Sequence, residues 1–128
     1  MSVVALDISF KNSKLPESEF IKKFEIGLDN VDGILDEMPE KEYDAFYHFA
    51  WAGVNGKEKA NPITQLKNTE MTMKCATICK ALGVKKLLCA GTIAERATES
   101  LPYLDKTSGG MMYGITKICY TSYVGGLL

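Results

Sequence analysis

The chain has 128 residues and a mass of 14.1 kDa, with 46% hydrophobic and 24% charged residues, the composition of an ordinary globular domain. A domain of about 150 residues buries roughly 68–70% of the surface its unfolded chain exposes, so this length supports a core without disulfides or metals. Fifteen basic residues against sixteen acidic ones leave a net charge of −1 and a pI near 5.8, which gives no electrostatic footprint for nucleic acid or an anionic membrane.

The opening Met1-Ser-Val-Val-Ala-Leu-Asp7 lacks a basic n-region and breaks its apolar run at Asp7, so it does not read as a signal peptide. No run approaches the roughly 18 apolar residues of a membrane span. Cys75, Cys79, Cys89 and Cys119 lack the dense spacing of a secreted framework, and reduced thiols in the cytoplasm are expected. No metal site is expected either. His48 is the only histidine, no C-x-x-C occurs, and Cys75 and Cys79, one helical turn apart, suit packing as small hydrophobes.

Along the chain, three apolar runs alternate with helical patterns. Val3 to Ile8 reads as a first strand. Pro16 followed by Glu17 and Glu19 resembles a helix start, and Gly27 and Gly33 predict one broken helix, or a helix and a turn, before Pro39. Ala45 to Trp51 reads as a second strand. Asn61 as N-cap, Pro62 at N1 and Gly83 just past the end predict a long second helix, with Met71, Cys75, Ile78 and Leu82 as its core-facing stripe. Lys86 to Gly91 is the third strand, followed by an irregular segment from Glu95 to Gly110 and a last helix from Met111 or Met112 to about Tyr123. The nearly continuous apolar character of the strands suits a parallel sheet covered on both faces. The order β-α-β-α-β-loop-α predicts an α/β fold, three-layer and mostly parallel, in a single domain over 1–128.

In such sheets ligands lie at the carboxyl ends of the strands. Those ends supply Asp7, the Ala50-Trp51-Ala52-Gly53 turn and Gly91-Thr92. Thr92 puts a hydroxyl in that crevice, although a hydrogen bond to its own loop would also account for it. Tyr113 and Lys117 stand one turn apart on a helix and share a face. A cation beside a phenol lowers the phenol pKa from about 10 and makes it a general acid/base for an alcohol oxygen. With six tyrosines and fourteen lysines in the chain, about one Y-x-x-x-K is expected by chance, so the motif gains its weight from position, on a helix after a strand ending in Gly-Thr.

Asp7-Ile8, Phe46-Tyr47-His48-Phe49-Ala50-Trp51, Asn68-x-x-x-Thr72, Ala90-Gly91-Thr92 and Tyr113-Gly-Ile-Thr-Lys117 together resemble the extended short-chain dehydrogenase/reductase superfamily, in its NAD-dependent epimerase/dehydratase branch. The resemblance runs in order from about Val3 to Tyr123 and implies a partial Rossmann-like fold. It implies that Asp7 and Ile8 border the adenine, and that Ala50, Trp51 and Ala52 follow the strand under the cofactor ribose and pyrophosphate. It makes Asn68 a holder of active-site geometry and Thr92 the hydroxyl that bonds the substrate oxygen. Tyr113 becomes the acid/base, and Lys117 the residue that binds the nicotinamide ribose and lowers the tyrosine pKa. The implied chemistry is hydride transfer with NAD or NADP, NAD being favoured, on a sugar or nucleotide sugar. A homodimer through the helices near 62–83 and 111–123 is also implied; the near-neutral charge leaves neither nucleic acid nor membrane expected as a partner.

The pattern departs from the family at both ends. No G-x-G-x-x-G or G-x-x-G-x-x-G occurs; Gly53-Val54-Asn55-Gly56 is the nearest spacing and lacks a third glycine. The expectation is an internal fragment, inactive alone, that begins at the family's third strand and stops before its substrate-binding part. The first strand would then slide in beside the second or stay loosely attached. Two other readings compete: a non-catalytic nucleotide-binding or interaction module, and a self-contained three-layer α/β domain with no redox role.

Overall fold

In a computed structural model, which describes residues 1–38, 42–100 and 109–124, Val3–Asp7 forms strand β1. Its partner is Ile21–Glu25, β2, which pairs with it in parallel from Val3 opposite Ile21 to Asp7 opposite Glu25. Backbone bonds from Val3 N to the Phe20 carbonyl and from Ile26 N to the Asp7 carbonyl, both 2.8 Å, extend the ladder at each end.

This corrects two expectations. No helix starts at Pro16, and β1 pairs with β2 rather than with the strand predicted over Ala45 to Trp51. The cause is local. Ser18 accepts the Phe20 amide on its hydroxyl and the Ile21 amide on its carbonyl, a turn that competes with helix and delivers Ile21 extended. The edge groups of an apolar strand must be paired, and β2 pairs them. Helical structure is confined to the second half of the segment, a 3-10 stretch at Leu28–Gly33 and the single turn α1 at Ile34–Glu37, where Val31 and Ile34 are buried.

The second part is a β-α-β unit. Phe46–His48 (β3) and Leu87–Cys89 (β4) pair in parallel, Phe46 opposite Leu87 and His48 opposite Cys89, and Pro62–Ala81 (α2) connects them. Asn61 caps α2 as expected, its Oδ1 accepting from Ile63 N at 3.0 Å and Thr64 N at 3.4 Å, and Gly83 follows the C-cap Leu82. Cys75 and Ile78 of the predicted stripe are buried, with Met71 and Leu82 half-buried. The N-terminal half of the same face is polar, however: Gln65, Asn68, Thr69 and Thr72 are buried there. Both strands are shorter than their apolar runs because the chain beyond them is taken by side chains of α2 and the last helix. The α/β character and parallel pairing agree with the partial Rossmann-like fold expected.

Among the described residues of the second unit, one face of the β3–β4 pair is uncovered. Tyr47 and Leu88, opposite one another, and Phe49 are exposed, with the Tyr47 and Phe49 rings 5.9 Å apart. Ile93–Ser100 forms helix α3 where an irregular segment was expected from Glu95. Thr92 supplies the reason, as the first residue of a T-x-x-E capping box: its Oγ1 accepts from Ala94 N at 3.3 Å, and Glu95 Oε1 accepts from Thr92 N at 2.7 Å. Pro102 lies outside the described residues. The last helix, α4, spans Gly109–Val124 and packs on α2 and α3. The chain divides into two compact units, Met1–Pro39 and Glu40–Leu128.

Gly114 permits the α3–α4 approach. A Cβ there would meet the Thr98 hydroxyl and lie 2.6 Å from the Ala94 carbonyl oxygen. Backbone cannot yield as a side-chain tip can, so Gly114→Ala is expected to cost about 1–3 kcal/mol. Urea unfolding followed by circular dichroism checks this; an unchanged midpoint contradicts the packing.

Candidate functional site

Beyond β3 the chain loses its strand neighbour and is held by two amides of α2. Asn68 makes a reciprocal pair with Ala52, accepting its N–H on Oδ1 at 2.9 Å and donating from Nδ2 to its carbonyl at 2.8 Å. Gln65 accepts the Trp51 indole N–H on Oε1 at 2.9 Å, and its Nε2 donates to the Gly53 and Glu58 carbonyls, each at 3.0 Å. Gly53, at φ 67°, passes so close to this turn that a Cβ would lie 2.8 Å from the Glu58 carbonyl oxygen. The result is a fixed Trp51 at the carboxyl end of β3.

The opposite wall comes from α4. Lys117 is 3% exposed, and its ammonium donates to the Ala90 carbonyl at 2.6 Å, just past the end of β4. It lies 3.6 Å from the Trp51 ring centroid, 5.2 Å from that of Tyr120 and 5.8 Å from that of Tyr113. Trp51 meets Tyr113 edge-on at 5.8 Å and Tyr120 at 5.7 Å. Cation–π attraction of about 2 kcal/mol or more for a desolvated ammonium helps offset the cost of burying this charge. A second cation, Lys59, stands 5.3 Å over the Tyr113 ring. Ammonium, phenols and indole thus converge at the carboxyl ends of two parallel strands, where α/β folds place ligands.

Electrostatics amend one expectation. The Tyr113 pKa is raised, by burial first and by Glu95 second, not lowered by Lys117. The ammonium is engaged by Ala90 and Trp51. Lys117 itself is lowered by burial, against the opposing pull of Glu95 and Cys89. His48 is pushed down to about 4 by burial and then by Lys117. Its Nε2 lies 2.9 Å from Thr72 Oγ1, whose own proton goes to the Asn68 carbonyl at 2.8 Å. The hydroxyl oxygen must therefore accept, which assigns His48 as the neutral Nε2–H tautomer.

Of the residues expected at the site, Trp51, Ala52, Asn68, Tyr113 and Lys117 come together. Thr92 starts α3, so its hydroxyl oxygen has the local bond that the sequence left open. Ala50 is exposed on the same loop. Asp7 and Ile8 end β1 in the first unit, where Asp7 Oδ1 accepts the Ile8 amide at 2.7 Å and Ile8 is exposed. Four contributors were not anticipated. Gln65 and Tyr120 could have been found three residues from Asn68 and Lys117, on their helix faces, and Glu95 through the T-x-x-E pattern. Nothing in the sequence pointed to Lys59. Among the described residues, no group of three or more His, Cys, Asp or Glu could hold a metal ion, and no helix is long and apolar enough to cross a membrane.

Compared with models of protein families, residues 2–126 match the NAD dependent epimerase/dehydratase family. Neither curated proteins nor solved structures give a match.

The buried neutral His48 makes stability pH-dependent. Its folded pKa of about 4 lies below the unfolded value near 6.5, so the unfolded chain takes up the proton first. The contribution is present in full above pH 6.5 and is lost as pH falls towards 4, on the order of 3 kcal/mol in total. Urea unfolding between pH 7.5 and 4.5 measures it, and His48→Gln should flatten the dependence in that window.

Proposed function

The chain belongs to the NAD-dependent epimerase/dehydratase family, and on that premise we propose that it carries the acid/base and ribose-binding part of an NAD(P)-dependent oxidoreductase-type site. The proposed substrate is a sugar or nucleotide sugar, acted on at a hydroxyl or carbonyl carbon, with NAD the favoured cofactor. The observation that carries the reading is the meeting of Tyr113, Lys117 and Trp51 at the carboxyl ends of β3 and β4.

The polar groups fit the ribose end of a nicotinamide nucleotide: a desolvated ammonium and a phenol as donors and a backbone carbonyl as acceptor, beside two aromatic faces. The fit is to that end alone, since the 128 residues contain no G-x-G-x-x-G turn. When bound, the nicotinamide supplies hydride chemistry, and the protein supplies orientation and proton control. Lys117 would donate to the ribose hydroxyls. Tyr113, held protonated by burial and Glu95, is set first as an acid towards a substrate carbonyl oxygen. It becomes a base when the Lys117 charge comes to bear on the phenol oxygen. The Thr92 hydroxyl accepts its capping bond through oxygen, so its proton remains to hold the substrate oxygen. Asn68 keeps Ala52 and Trp51 in place.

The same reading includes a cytoplasmic protein, supported by free cysteines, and a homodimer through α2 and α4, supported by Ile63 and Leu66, exposed on α2. A second reading, a non-catalytic nucleotide-binding module, is favoured by one observation. Lys117 is committed to Ala90 and Trp51 rather than to the phenol oxygen.

Tyr113→Phe separates the two. Loss of a positioned acid/base should lower kcat by roughly 10²–10⁴, with NADH affinity kept within about twofold. Trp51 is the only tryptophan, so quenching of its fluorescence reads NADH binding directly. Unchanged turnover in the variant sinks the catalytic reading.

A further inference from the structure

We propose that Tyr120 is a positioning residue whose phenol takes over the Ala90 carbonyl when Lys117 leaves it, and so sets how readily Lys117 reaches a nucleotide ribose. The proposal rests on the reading of Lys117 as the ribose-binding cation.

Two donors from α4 converge on one oxygen. Lys117 Nζ lies 2.6 Å from the Ala90 carbonyl oxygen and Tyr120 OH lies 3.3 Å from it. A carbonyl has two lone pairs and can take both, but not equally. The short, charge-assisted bond dominates, and the phenol bond is long for an O–H donor, whose usual distance is about 2.7–2.8 Å. Tyr120 therefore adds little while Lys117 stays. Its place is nonetheless exact in sequence terms: Tyr113, Lys117 and Tyr120 stand at spacings of four and three on one stripe of α4, so one helix face carries the acid, the cation and the second donor.

The cation cannot serve a ligand from where it rests. It is almost completely buried, bonded to Ala90 on one side and 3.6 Å from the Trp51 ring centroid on another. Lifting it away would strip a part-buried carbonyl of its main donor, and an unsatisfied carbonyl opposes that movement. Tyr120 OH needs to close only a few tenths of an ångström to give the carbonyl a normal bond. The phenol is held for this by packing against Trp51 at 5.7 Å, and its raised pKa, from burial above all, keeps it a donor. Both ends of the movement touch it, because its ring also lies 5.2 Å from the ammonium.

A plain structural clamp between α4 and β4 would use the same atoms and predicts the opposite response. Under the clamp, removing the phenol oxygen loosens Lys117. Under relief, removing it ties Lys117 more firmly to Ala90.

Tyr120→Phe in the full chain distinguishes them by two measurements. NADH affinity, read on Trp51 fluorescence, should weaken on the order of three- to tenfold, the worth of one hydrogen bond. In a Lys117→Met background the same substitution should cause no further loss, because no ammonium remains to be released. Without nucleotide, reductive methylation of Lys117 by formaldehyde and a borane, followed by mass spectrometry against exposed Lys67, should slow in Tyr120→Phe by a similar factor. Equal losses of affinity in the two backgrounds overturn the proposal, as does methylation of Lys117 that is unchanged or faster. If the unsubstituted chain binds no NADH, the ribose reading fails, and methylation alone still decides what Tyr120 does.

Discussion

The reciprocal amide pair between Asn68 and Ala52 is the constraint on which the rest of the site depends. A strand that leaves its sheet loses a row of hydrogen-bond partners, and each orphaned backbone group buried away from water costs free energy. In this chain the partner is a side chain. Asn68 carries an acceptor and a donor at the spacing of a peptide unit, so it imitates the missing strand for one residue. Gln65 extends the imitation by one turn of α2 and takes the Trp51 indole as well. The polar half of the α2 face is thus the surface that replaces sheet with helix as the support of a loop.

That support has an electrostatic consequence. A fixed indole gives Lys117 a face to rest on, and that face makes burial of an ammonium tolerable with no carboxylate bonded to it among the described residues. The buried charge in turn helps keep His48 neutral, and neutral His48 can donate to Thr72, whose hydroxyl closes back on the Asn68 carbonyl. Helix, loop, cation and imidazole therefore form one circuit of mutual requirement. A change at any member would be felt at the others, since residues sharing partners do not contribute additively.

Much of this was legible in the sequence, and the limits are instructive. The Asn61-Pro62 start of α2 was readable because capping is a local interaction, settled within one turn. The strands β3 and β4 were readable from apolar runs, but not their ends, because Asn68 and Lys117 come from helices distant in sequence. β2 was not legible because Pro16 and two glutamates make a good local case for helix, which the Ser18 turn and the pairing needs of β1 together outweigh. Tyr113 and Lys117 were visible as a pair. Their electrostatics were not, because a spacing of four says that two groups share a face and says nothing of a carbonyl and an indole waiting for the cation. Glu95 escaped for a different reason: the segment was read as irregular, and a capping box has meaning only at the start of a helix.

That capping box joins two properties usually treated apart. The Glu95 carboxylate that accepts the Thr92 amide also raises the proton affinity of Tyr113. Order at the first turn of α3 and acid strength on α4 are therefore linked functions of one charge.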